Sequence, residues 1–222
     1  MTLFGTAISL KTLFQWAWYG ALVYFSYLML LITLQYVPVN LDVAFLRIKT
    51  DVISKTHYRL AFFTHVYTSI FVLVLGMFQF LKYIRKKYEK VHRFMGKIYI
   101  GIILFLSGPS GLVMGYYANG GTLSQISFCL LAILWIWFTY KAYRYAREKK
   151  WHQHRNFMYR SYALTLSAIS LRLFKWIIVS WLALPPMDTY LIVSWLGWTF
   201  NLAVAEGMIY FFTKASLFRK KG

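Results

Sequence analysis

The sequence predicts an all-α integral membrane protein, built as one antiparallel bundle of six transmembrane helices. Of its 222 residues, 59% are hydrophobic and 21% are aromatic, which is more apolar content than a soluble domain of this length keeps in solution. The apolar residues form runs that are each long enough to cross a bilayer core of about 30 Å. The charged residues, with a formal net charge of +19, fall in short clusters between these runs.

The apolar runs predict six transmembrane helices in a single domain, near residues 15–36, 60–81, 98–117, 123–140, 157–182 and 189–213. Asn119-Gly120-Gly121 predicts a turn between the third and fourth spans, and Pro185-Pro186 predicts a break between the fifth and sixth. Because these connections are short, we expect consecutive spans to pack antiparallel. The run after Lys11 is long enough to remain as a helix, and the preceding residues lack the cleavage site of a secretory signal.

Lysine and arginine are distributed unevenly over the two predicted sides of the membrane. One side carries eighteen of them, at Lys11 and in segments 82–97, 141–156 and 214–222, whereas the loop at 37–59 carries four. By the positive-inside rule the first side is cytoplasmic, so both termini are predicted to lie in the cytoplasm. Charges placed between apolar runs indicate a lipid bilayer as the partner and not nucleic acid, whose binders present one basic face. The oligomeric state is left open.

Several functional classes find no support in the sequence. Cys129 is the only cysteine, which excludes an intrachain disulfide and a cysteine-based zinc site. There is no hydrolase nucleophile motif, no phosphate-binding glycine loop and no zinc protease signature. The remaining candidates for chemistry are histidines and the few charged residues within or beside the spans.

His92 and His154 are the first candidates for cofactor binding. They begin the third and fifth spans, which run in the same direction, so the two imidazoles are predicted to lie at similar depth near the cytoplasmic face. Two histidines from different helices at one depth are what a haem b with two axial histidines requires. The basic neighbours that we expect to meet the haem propionates are Arg93, Arg155 and Lys97. An equal interpretation is that these His-Arg pairs contact only lipid headgroups.

His65 lies about one and a half turns into the second span from the opposite face, some 20 Å from that pair by helical rise. It is a candidate ligand of a second haem, a contact for a quinone or a proton relay. A simple hydrogen bond to a neighbouring hydroxyl or carbonyl explains it equally well.

Two of the charged side chains inside the predicted spans are candidates for function. Glu206 is the only acidic residue within one, and it is interpreted either as a proton-handling group or as the partner of Arg160 in an ion pair. Arg172 lies about 15 residues into the fifth span and has no acidic partner at its depth. It is interpreted as a contact for an acidic substrate or cofactor, or as a group solvated in a cavity lined by serines.

The stretch Ser107-Gly108-Pro109-Ser110-Gly111 predicts a kink near the middle of the third span, because proline leaves one helical carbonyl without its amide donor. Small residues here, together with Gly76 in the second span, allow the close approach of another helix or of a flat cofactor. Ordinary helix packing is the simpler of the two explanations.

These motifs form a pattern along the chain: His92-Arg93 with Gly96-Lys97, the segment 107–115, His154-Arg155 with Met158, the segment 160–165 and Leu171-Arg172. The pattern resembles the bacterial family of predicted membrane proteins catalogued as domain of unknown function 2306, over about residues 43–172. The resemblance implies a bacterial cytoplasmic membrane protein. It implies no activity.

A more distant resemblance is to the six-helix transmembrane cytochromes b that move electrons from ascorbate to ferric iron or monodehydroascorbate. Those proteins hold two haems with histidine pairs on four consecutive helices, one pair near each face. His92 and His154 match one such pair. His65 has no partner on the fourth span, which contains no histidine, so only half of the pattern is present.

The leading hypothesis is a redox protein of the cytoplasmic membrane. It binds one haem b through His92 and His154 and exchanges electrons with a quinone or small oxidant near His65 and Arg172. One alternative is a proton-coupled transporter or ligand-binding membrane protein with a central pocket formed by Arg172 and Glu206. Another is a non-catalytic membrane subunit.

Overall fold

The computed structural model of the chain describes residues 2–3, 6–7 and 9–218. Six helices are long and apolar enough to cross a membrane, which confirms the predicted all-α membrane fold. They are Leu10–Leu34, Thr56–Gln79, Glu89–Tyr116, Gly121–Arg147, Trp151–Leu182 and Pro186–Phe218, and they are called spans one to six below. Of the eighteen basic residues discussed above, Arg219, Lys220 and Lys221 lie outside the described residues, as does the side chain of Lys11.

The shorter elements connect the spans. Before span one, Thr2–Leu3 pairs antiparallel with Thr6–Ala7. Between spans one and two lie a 3-10 turn at Ala44–Ile48 and a helical turn at Thr50–Ile53, and Lys82–Lys87 forms a short helix before span three. Because an even number of spans returns the chain to the side where it began, Leu10 and Lys214 lie at the same end of the bundle.

The spans extend further at one end than the hydropathy of the sequence predicts. Span three begins at Glu89 and not near residue 98, span four continues to Arg147 and not to residue 140, and span five begins at Trp151 and not near residue 157. Apolar runs stop at the first charged residues, whereas lysine, arginine and glutamate are good helix formers and prolong the helices beyond the hydrocarbon. His92 and His154 therefore lie within ordered first turns of their helices.

Span three is irregular where a kink is predicted. A π-helical turn at Ile103–Ser107 precedes the helical segment Gly108–Tyr116, which has a proline in its first turn. Gly108 permits this geometry, since a Cβ there would lie 2.4 Å from the Ile103 carbonyl oxygen. The irregular turn brings the Ser107 carbonyl into reach of side chains on other helices.

The interior of the bundle has two apolar clusters at different depths. One draws on all six spans and includes Leu22, Val72, Tyr99, Trp135, Tyr162 and Trp198. The other includes Tyr36, Leu46, Tyr58 and Phe62, and its buried residues come from span two and the loop before it. We call the end of the bundle containing the first cluster, with Gln79, Glu89 and Trp151, the basic half. The end containing the second, with Leu34, Thr56 and Tyr116, is the loop half.

Candidate functional site

His92 and His154 lie close together in the basic half, each half-buried at the start of its helix. They are near enough for the charge of one imidazole to act on the other. The His154 Nδ1 donates a hydrogen bond of 2.9 Å to the carbonyl oxygen of Ala142 in span four. The carbonyl can only accept, so Nε2 of the neutral ring carries the lone pair and is the nitrogen available to a metal.

Three polar atoms in the basic half are buried without a hydrogen-bond partner among the described residues: His92 Nδ1, Arg155 Nε and Gln79 Nε2. Leaving a buried donor unsatisfied costs about 1 to 3 kcal/mol, so three of them near one end of the bundle indicate a site for water or for a polar ligand. Gln79 ends span two, is only 5% exposed, and its Oε1 lies 3.3 Å from where a Cβ on Gly96 would be.

Gln79 was not among the residues predicted from the sequence. It could have been identified there, because it is the one amide within the apolar segment 77–81, where the chain leaves the membrane. The role of Gly96 is now visible as well: its missing side chain leaves room for the Gln79 amide one turn after His92.

The basic residues proposed to meet propionates differ in their surroundings. Arg93 is exposed and forms an ion pair with Glu89 on the surface of its own helix, and Lys97 is also exposed. Arg155 is half-buried, and its Nε has no partner. Of the three, Arg155 therefore has the most capacity to bind an acidic group within the bundle.

The donor set of this site suits a haem better than a bare metal ion. Among the described residues, no group of three or more histidine, cysteine, aspartate or glutamate side chains could hold a metal. A bare transition metal takes three or four protein ligands, whereas a haem iron takes two axial ones and leaves propionates that need donors. Two imidazoles with nearby unpaired donors fit the second requirement.

His65 lies in the loop half, at a different depth from the histidine pair. Its Nδ1 donates a 2.8 Å hydrogen bond to the Ser107 carbonyl that the π-helical turn presents, and its ring makes an edge contact with Trp135 at 6.4 Å. A Cβ on Gly111 would lie 3.0 Å from the His65 ring, so this glycine makes room for the imidazole. Gly76 likewise accommodates the ring of Tyr162. In this structure both glycines serve packing.

A layer of hydroxyl groups separates His65 from the histidine pair. The Tyr99 hydroxyl is hydrogen-bonded to Ser161 at 2.9 Å and to Thr165 at 3.1 Å, and the Trp135 indole donates to the Thr165 hydroxyl at 3.1 Å. Thr139 completes the layer with a 2.7 Å bond to Ser161. These contacts join spans three, four and five in the middle of the bundle. Sequence analysis did not find them, because single serines and threonines are common in membrane helices.

Glu206 and Arg172 are not brought together. Glu206 forms a two-pronged ion pair with Arg160, with contacts of 2.5 and 2.8 Å, and the Arg160 guanidinium lies 4.9 Å from the centre of the Phe157 ring. Arg172 lies twelve residues beyond Arg160 on the same helix, about 18 Å further along its axis. A single pocket that contains both Arg172 and Glu206 is therefore absent from the described part of the chain.

Arg172 lines an open groove of about 260 Å³ on span five, together with Lys175, Trp176, Val179 and Ser180. Its guanidinium donates a 2.8 Å bond to the Ala168 carbonyl of its own helix. His65 and Tyr36 are both near enough to interact electrostatically with it. The structure thus brings Arg172 and His65 into one neighbourhood in the loop half, apart from the histidine pair.

Comparison with known proteins gives one match. The family described as predicted membrane protein (DUF2306) matches residues 62–209, which cover most of the chain from span two to span six. No curated protein and no solved structure has significant similarity to the sequence.

Proposed function

Since the chain belongs to the DUF2306 family of predicted membrane proteins, whose description carries no activity, we propose a function from its own residues. The protein is an electron-transfer protein of the bacterial cytoplasmic membrane, similar in architecture to six-helix cytochromes b. It binds one haem b near the basic end and exchanges electrons with a quinone or small oxidant in the loop half. The positive-inside rule supports a cytoplasmic location for the basic end and both termini.

The observation that carries this proposal is the arrangement of His92 and His154. The two imidazoles come from different helices at one depth, and the bond from His154 Nδ1 to Ala142 orients its Nε2 as a ligand. His92 has a buried nitrogen without a partner. Arg155 and Gln79 would donate to the propionates, with Arg93 and Lys97 at the surface. When bound, the haem iron supplies one-electron chemistry.

The test is the optical spectrum of the full chain, purified in mild detergent after expression with added haem. We expect a haem b absorption that shifts on reduction in the wild type, and its loss in His92→Ala and in His154→Ala. His152→Ala is the matched control, because His152 lies on the same helix and is exposed. Folded wild-type protein without haem absorption, or alanine variants with an unchanged spectrum, would overturn the proposal.

A ligand-binding or transport protein is the second candidate, and the accessible Arg172 favours it. This function predicts that protein without haem still binds or takes up an anionic ligand, and that Arg172→Gln abolishes the uptake. Uptake that survives in Arg172→Gln would count against it.

A further inference from the structure

The face of span five that is buried in the basic half is open in the loop half. Met158, Ser161 and Thr165 are buried on this face, at 6%, 0% and 6% exposure. Fourteen residues, or about four turns, after Met158 and Thr165 the same face carries Arg172 and Val179, both exposed. The described neighbours of span five therefore cover this face in the basic half and leave it uncovered toward the loop end.

The apolar clusters explain why this part of the bundle is open. The cluster in the basic half includes Met158, Tyr162 and Leu164 of span five. The cluster in the loop half contains no residue of spans five or six among those described. The loop end of span five therefore packs on span six, through contacts such as Phe174 with Phe200, and leaves its other face uncovered.

This uncovered surface of span five forms an open apolar groove, called the cleft below, and all its lining residues, two cations among them, belong to span five. The wall surface of the groove is almost entirely apolar, and Trp176 and Val179 are 62% and 45% exposed there. Neither Arg172 nor Lys175 forms an ion pair with a carboxylate of the described residues. A cation in low dielectric needs oxygen acceptors, so the cleft is suited to a ligand with an apolar body and an oxygen-bearing head.

Arg172 supplies the hydrogen-bonding group of the cleft. Its guanidinium uses one N–H for the Ala168 carbonyl and keeps further N–H donors. These donors suit a ring whose oxygens are carbonyls when oxidised.

The depth of Arg172 in the membrane distinguishes between a phospholipid phosphate and a neutral ring as the head of the ligand. Arg172 lies ten residues before the end of span five at Leu182, about 15 Å below the helix end by axial rise. A phospholipid phosphate would have to leave the headgroup layer and carry its charge into hydrocarbon to reach that depth. A neutral ring with carbonyl oxygens reaches it readily from the bilayer.

We propose that the cleft of Arg172, Lys175 and Trp176 is a lateral binding site for the head of a lipid-soluble quinone, with Arg172 donating to a ring oxygen. This assignment of the electron partner rests on the proposed function, although the binding itself needs no haem. The volume of about 260 Å³ suits a single ring, with the tail left in the lipid.

The experiment measures binding of a decyl-substituted benzoquinone to the full chain in phosphatidylcholine nanodiscs by titration calorimetry. We expect saturable binding that Arg172→Gln weakens at least about tenfold, since a charged donor is lost. Val179→Trp should block binding by filling the cleft from an exposed position, without changing any charge. Arg147→Gln is the matched control, because it removes one positive charge at the other end of the bundle.

The outcomes separate this inference from the haem proposal. Binding that is absent, or that neither Arg172→Gln nor Val179→Trp reduces, overturns the quinone site whatever the haem spectrum shows. Binding that disappears when anionic phosphatidylglycerol is added also overturns it, because the cleft then prefers a lipid phosphate. Quinone binding with the expected variant effects in protein without haem supports the site and removes the haem proposal alone.

Discussion

The basic half and the loop half of the bundle differ in how completely the spans enclose their interior. In the basic half all six spans contribute to one apolar cluster, and a layer of hydroxyl contacts joins spans three, four and five beside it. In the loop half span two and the loop before it form their own buried cluster, with Ile32 of span one and Met114 of span three packed against it, and no described residue of span five belongs to it. A closed region holds a pair of ligands at fixed positions, whereas an open region admits a ligand from the membrane.

The difference also determines where charged groups are tolerated. Glu206 in the basic half is neutralised by Arg160, so its charge adds to the contact between spans five and six. Arg172 in the loop half forms no ion pair with a carboxylate of the described residues and remains accessible. One span therefore carries two arginines in different surroundings, as the depth of Glu206 in the sequence already suggested.

The largest effect in this comparison is expected at the Arg160–Glu206 pair. Glu206→Gln leaves the guanidinium without its counter-charge within the membrane, and we expect a loss of about 2 to 3 kcal/mol in the free energy of unfolding. A fully buried pair would cost about 3 to 5 kcal/mol, but these side chains are 21% and 47% exposed. Denaturation in mixed micelles measures the loss. Glu148→Gln, which breaks an exposed ion-pair cluster, should leave stability unchanged. Equal effects of the two substitutions would contradict the assignment.

A matched pair of valines tests the closure of the two halves directly. Val72 is 0% exposed in the basic-half cluster, and Val179 is 45% exposed in the cleft. Val72→Ala should cost about 2 kcal/mol through the cavity it leaves, and Val179→Ala should cost less than about 0.5 kcal/mol. The same denaturation assay applies. A comparable cost at Val179 would show that the loop half closes over span five.

Gly76 tests how tightly the basic half is packed. A Cβ there would lie 2.4 Å from two ring atoms of Tyr162, and that ring is held by a hydrogen bond of its hydroxyl to the Leu73 carbonyl. Gly76→Ala should therefore destabilise the fold by about 1 to 2 kcal/mol. Gly101→Ala is the control, since nothing lies within 4 Å of its Cβ position and alanine favours the helix. Stabilisation by Gly76→Ala in a thermal unfolding assay would be incompatible with this packing.

The smallest effect concerns Lys49, which anchors the loop between spans one and two. The residue is 4% exposed, and its ammonium group donates to the Tyr117 carbonyl and to the Asn119 side chain. Burial lowers the pKa of Lys49 from 10.5 to about 8. Between these values the unfolded chain binds more protons than the folded one, so the stability of the wild type should rise with pH from about 8 to 10.5.

Lys49→Met removes this titration and keeps the apolar part of the side chain. We therefore expect the difference in melting temperature between the wild type and Lys49→Met to shift in favour of the wild type as pH rises. A constant difference, or a shift in the opposite direction, would show that Lys49 is not desolvated in the folded protein.

Much of the fold follows from the sequence, because hydropathy reflects transfer from water to lipid, a property of each segment alone. The number of spans, their order and the irregular turn before Gly108-Pro109 were all predicted. The ends of the spans were not, since the charged residue Glu89 and the segment Trp151–Gln153 continue the helices where hydropathy falls. The similar depth of His92 and His154 was also predictable, because it depends only on where two parallel helices begin.

What the tertiary structure alone decided is which side chains meet. The pairing of Glu206 with Arg160, the contact of His65 with the Ser107 carbonyl and the unpaired amide of Gln79 depend on helix rotation and crossing. Helix rotation and crossing are set by packing between two spans. The sequence of either span alone therefore supplies only one of the two packed surfaces. The sequence determined that six helices cross the membrane with the charges at their ends. Packing decided that all six spans contribute to the apolar cluster of the basic half and that span five is uncovered at Arg172.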